Sequence, residues 1–135
     1  MKAIYPALIL LTVAGCTAAD VKPQPMSPKE QAELGRVLDG KVAGKPISCV
    51  SSVNGRNLRA IGDSTLVYQI RKDLVYKNEL SGRCNGLSWG DTLILNVRNS
   101  QYCRGDIARV VNLQSGMLSG SCALGDFVPY TPAAK

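Results

Sequence analysis

Five cysteines set the narrowest limit on what this chain can become. Cys16, Cys49, Cys84, Cys103 and Cys122 stand in 135 residues that contain no histidine. The length is that of one domain. If Cys16 is set aside, four remain, and four cysteines in an exported protein are read as two disulfides. A zinc or redox site is the alternative, but no Cys-x-x-Cys occurs and histidine ligands are missing, so neither a metal nor a cofactor is expected. The compartment therefore decides how the rest of the sequence is read.

The N-terminus points to export. Lys2 precedes the apolar run Ala7-Leu8-Ile9-Leu10-Leu11, which is too short to span a bilayer, and no later stretch is long enough either. Residues 1–15 are thus expected to be a signal peptide. Before Cys16 stands Val13-Ala14-Gly15, an aliphatic residue and two small ones, which resembles the lipobox of bacterial lipoproteins. That resemblance implies diacylation of the Cys16 thiol, cleavage before it and acylation of the freed amine, with the acyl chains fixing the protein to a membrane. Thr17 rather than Asp follows, which by resemblance to enteric sorting signals implies the outer membrane, facing the periplasm. The plainer alternative is an ordinary signal peptide cut near Ala18 or Ala19.

Beyond Cys16 the chain divides into a tether over 16–26, a helix and linker over 27–46, a β domain over 47–130 and a tail over 131–135. Pro23 and Pro25 keep the tether extended. Ser27-Pro28-Lys29-Glu30 is a capping-box pattern, and it predicts a helix from Pro28 to Leu38 with Gly40 ending it. Lys41 to Pro46 reads as a link. From Ile47 the hydrophobic period falls to two, most plainly in Leu66, Tyr68 and Ile70, and Asn54-Gly55 is a hairpin signal. Further strand character lies in Ile47–Val53, Leu58–Ile61, Leu74–Asn78, Thr92–Arg98, Ile107–Leu113 and Met117–Leu124. These stretches predict an all-β fold, a small antiparallel barrel or sandwich of about six strands with one short N-terminal helix. Trp89, in the irregular segment 81–91, is expected to cap an open end of the core rather than to stack on a ligand.

Four cysteines allow three pairings. If the first and last strands of a closing sheet meet, Cys49 pairs with Cys122 and Cys84 with Cys103.

Ile47-Ser48-Cys49, Asp63-Ser64-Thr65-Leu66-Val67-Tyr68, Tyr76-Lys77-Asn78-Glu79-Leu80, Arg83-Cys84-Asn85-Gly86-Leu87, Tyr102-Cys103-Arg104-Gly105-Asp106-Ile107, and Ser121-Cys122 through Pro129 stand in an order and at a cysteine spacing that resemble an uncharacterised family of small proteobacterial envelope proteins. The resemblance runs from Cys49 to Tyr130; Asn85 and Lys72-Asp73 depart from the family's usual proline and glycines. It implies an exported small β domain and brings no activity with it.

Chemistry is sparse. Without histidine, Ser–His–Asp and Cys–His sites are excluded, and no HExxH, P-loop or GxGxxG pattern occurs. Asp63, Asp73, Glu79, Asp91, Asp106 and Asp126 are candidates for a glycosidase-like carboxylate pair, yet most adjoin turn residues, where a carboxylate serves the local backbone. No catalytic residue is assigned. Arg83, Arg104 and Asp106 form the candidate binding cluster, suited to an anionic glycan, a lipid head group or a partner protein. The net charge of +6 is scattered and aromatic residues are few, so nucleic acid is not an expected partner. The leading expectation is a non-enzymatic envelope lipoprotein with a binding or scaffolding role. Its rivals are an inhibitor of a periplasmic hydrolase, disfavoured against basic lysozymes by its own charge, and a small carboxylate-dependent hydrolase.

Overall fold

The computed structural model describes residues 25–53 and 57–135. The leader, Cys16, most of the tether and the Asn54-Gly55 turn lie outside the described residues. Helix α1 spans Pro28–Leu38, and its capping box is complete: the Ser27 hydroxyl accepts from Glu30 N, and the Glu30 carboxylate accepts from Ser27 N at 2.8 Å. Past the C-cap Asp39, Gly40 takes φ 68°, a left-handed turn that costs glycine nothing and stops the helix.

Ten strands follow among the described residues: β1 Lys41–Ala43, β2 Cys49–Ser51, β3 Leu58–Ile61, β4 Thr65–Arg71, β5 Leu74–Glu79, β6 Thr92–Leu95, β7 Gln101–Cys103, β8 Ile107–Val111, β9 Leu118–Ala123 and β10 Phe127–Pro132. All pairings are antiparallel, in a five-stranded sheet of order β1-β10-β5-β4-β3, a two-stranded sheet β2-β7 and a three-stranded sheet β6-β8-β9. The larger sheet packs against the two smaller ones as a sandwich, and no closed barrel forms. Leu66, Tyr68 and Phe127 of the first layer meet Val50, Tyr102, Ala108 and Val110 of the second in one core.

The back of the larger sheet carries a second, smaller core. Ile61, Val67 and Val75 pack there against Met26, just before the helix, and against Leu34, Val37 and Leu38, the apolar stripe of α1. Two-sided cover explains why Thr65 through Tyr68 are buried consecutively, where a half-exposed strand would alternate.

Three strands depart from the sequence reading. β1 forms inside the expected link, while β7 and β10 form in stretches for which no strand is expected. β10 contains Pro129, whose carbonyl accepts from Gly44 N at 2.7 Å but which has no N–H to return, so the β1 ladder ends at Ala43.

The disulfides also differ from expectation. Cys49 bonds Cys103, its direct cross-strand partner on β7, with Cα atoms 4.1 Å apart. Cys84 bonds Cys122 of β9, with Cα atoms 5.3 Å apart. The expected Cys49–Cys122 and Cys84–Cys103 pairing is therefore overturned. Its premise was that the first and last strands meet, whereas β2 finds its hydrogen-bonding partner in β7 and β9 lies against β8.

Candidate functional site

Segment 81–91 connects the two layers of the sandwich and is held from four sides. The Cys84–Cys122 disulfide fixes its middle. Asp63, in the β3–β4 turn, takes Cys84 N on its main-chain oxygen at 3.0 Å and Ser88 N on its carboxylate at 2.8 Å. The second carboxylate oxygen of Asp63 faces Arg83 at 3.5 Å. At the far end, the Asp91 carboxylate accepts from Asn112 Nδ2 at 2.9 Å and Ser119 Oγ at 2.5 Å.

Gly86 makes this packing possible. Its φ is 100°, and a Cβ there would stand 2.7 Å from Asp91 Oδ2 and 2.8 Å from Ser119 Cβ. Its carbonyl accepts from both Trp89 N and Asp91 N, closing the 3-10 turn Leu87–Trp89.

That turn decides where the indole goes. Leu87 points inward and is buried, and Trp89, two residues on, is 85 % exposed. The expectation that Trp89 caps the core is therefore corrected: Leu87 fills that place. A large amphipathic ring on a rigid base facing water has the form of a recognition anchor, since its burial on a partner removes much apolar area at little entropy cost.

A broader apolar surface adjoins it. The outward positions of the three-stranded sheet include Ile94 opposite Arg109, Ile107 opposite Ala123, and Val111 opposite Leu118. Ile94, Ile107 and Leu118 are 43, 51 and 60 % exposed. Leu113 and Met117 flank the β8–β9 turn, also exposed, and the Asp91–Asn112 and Asp91–Ser119 bonds bring that end of the sheet beside the Trp89 turn. The signal was present in the sequence: an antiparallel strand with one wet face alternates, yet Leu93-Ile94-Leu95 is apolar on both faces, and Ile107 and Val111 flank Arg109 on the outward face of β8.

Arg83, Arg104 and Asp106 do not act together. Arg83 pairs with Asp63, Arg104 with Asp126 at 3.3 Å, and Asp106 accepts from Cys103 N at 2.8 Å. The Cys84–Cys103 bridge that was to gather them does not exist, and of the three only Arg83 stands at the Trp89 turn.

The remaining carboxylates are likewise engaged, Asp73 by Arg71 and Glu79 by Lys77. The Arg71 side chain holds the Asp73 carboxyl below its ordinary pKa. No two of the six candidate carboxylates share a hydrogen-bond partner among the described residues, and none of the described Cys, Asp and Glu residues form a group suited to a metal ion.

No curated protein and no solved structure matches this chain. Residues 1–133 match the model of a family described as a family of unknown function, DUF6491, and the chain belongs to that family.

Proposed function

We propose that this protein is a non-enzymatic lipoprotein of the cell envelope, anchored through acyl chains on Cys16, whose β domain docks on another envelope protein through Trp89 and the outer face of β6-β8-β9. The observation that carries this reading is the 85 % exposure of Trp89 on a turn held by a disulfide and two carboxylates. Exposed apolar patches of this kind mark interaction surfaces, and Trp and Arg are the residues that most often dominate them. The engagement of all six candidate carboxylates in structural bonds supports a binding role over hydrolysis.

The test compares tagged wild-type, Trp89→Ala and Ile94→Asp chains recovered from crosslinked envelopes. One envelope protein should accompany the wild type in stoichiometric amount and fall by about tenfold or more in both variants. Because both side chains face solvent, the melting temperatures should stay within about 2 °C. Equal recovery in all three chains, or recovery of a soluble hydrolase instead, would reject the proposal. The anchor is checked separately, by an intact mass carrying diacyl or triacyl increments on Cys16.

A further inference from the structure

α1 and β3 border a cleft of about 340 Å³ lined by Lys29, Glu33, Arg36, Val37 and Arg59. Lys29, Glu33 and Arg36 follow one another at helical spacings of four and three, so they share a face of α1. Arg59 approaches from β3 and lies 3.7 Å from Glu33. Lys29 and Arg36 make no ion pair among the described residues, which leaves three cations and one carboxylate around a single concavity.

This arrangement is electrostatically unbalanced. Like charges on a surface normally separate or pair, and a concave site with a low-dielectric wall, here Val37 and the sheet behind it, concentrates their field. Two guanidinium forks and an ammonium suit a compact anion with several oxygens. We infer that this cleft binds a phosphate group, with Lys29, Arg36 and Arg59 as its ligands and Glu33 as the carboxylate that holds Arg59 in place and weakens the site.

Such a group reaches the cleft on a lipid head group or on a free phosphate-bearing molecule. The first source has a geometric argument in its favour. The cleft belongs to the helix that begins immediately after the 16–26 segment, which when extended reaches at most about 40 Å. A chain acylated at Cys16 would thus carry these cations within reach of the bilayer surface, while a free ligand needs no such anchor.

The experiment uses the full chain with Cys16→Ala, so that no acyl chain contributes, and follows the amide resonances of Lys29, Arg36 and Arg59. Two probes are titrated: inorganic phosphate, and vesicles of phosphatidylglycerol with phosphatidylcholine, set against phosphatidylcholine alone. Saturable shifts with phosphate assign a free ligand; a response confined to the anionic vesicles assigns the head group. Either response should weaken by about tenfold or more in the Lys29→Gln/Arg36→Gln double variant. It should strengthen severalfold in Glu33→Gln, which removes the competing charge and, as half of a surface pair, is not needed for folding. No shift with either probe, or a double variant that responds like the wild type, overturns the inference. Neither outcome bears on Trp89 or the outer face of β6-β8-β9, none of whose residues line the cleft.

Discussion

In the larger core, Asn78 is 1 % exposed and uses its whole amide. Its Nδ2 donates to the carbonyls of Gly125 at 2.8 Å and Asp126 at 3.3 Å, and its Oδ1 accepts from Gly125 N at 3.0 Å. Removing the amide strands these groups away from water, so Asn78→Ala should lower unfolding free energy by about 2–4 kcal/mol in urea melts. A loss below about 1 kcal/mol would show that water replaces it. Some of this scale was legible: a carboxylate beside a turn serves the local backbone at Asp106, whereas Asp63 reaches across to Ser88 N and Asp91 and Asp126 bond side chains of distant segments. Trp89 was not, because hydrophobicity alone puts Trp inside, and only the 3-10 turn reveals that Leu87 has taken the inward place.

Among the elements, the helix was the most readable, since Ser27, Pro28, Glu30 and Gly40 each act on backbone groups within a few residues. Ser27→Ala should cost about 1 kcal/mol, seen as a lower melting temperature; an unchanged melt would mean that packing of Leu34, Val37 and Leu38 on the sheet suffices. β3, β4 and β5 were legible for a similar reason, each long enough to display its period. β1 and β7, of three residues each, display none, and β10 looks like a loop because of Pro129 and Pro132. These strands exist through their neighbours: β10 lies between β1 and β5, and β7 is joined to β2 by a disulfide.

For the molecule as a whole, composition and cysteine count were enough to indicate one disulfide-bonded antiparallel domain, but the pairing depended on which strands meet, a long-range fact that no local pattern encodes. The two bridges differ in access. Their sequence separations of 54 and 38 residues give closure entropies within about 0.3 kcal/mol of each other, so exposure decides which opens first. Cys49 is exposed, whereas Cys84 and Cys122 are 0 and 6 % exposed. Limited dithiothreitol followed by alkylation and peptide mapping should therefore label Cys49 and Cys103 before Cys84 and Cys122; the reverse order would contradict the burial.

The order β1-β10-β5 has a temporal side. β1 has no partner in the larger sheet except β10, so the strand that leaves the ribosome first must wait for the one that leaves last. The sheet's first edge therefore closes last and slowly, because that pairing joins Lys41 to Pro132 across almost the full length of the domain, whereas the hairpins β3-β4-β5 and β8-β9 need only their neighbours.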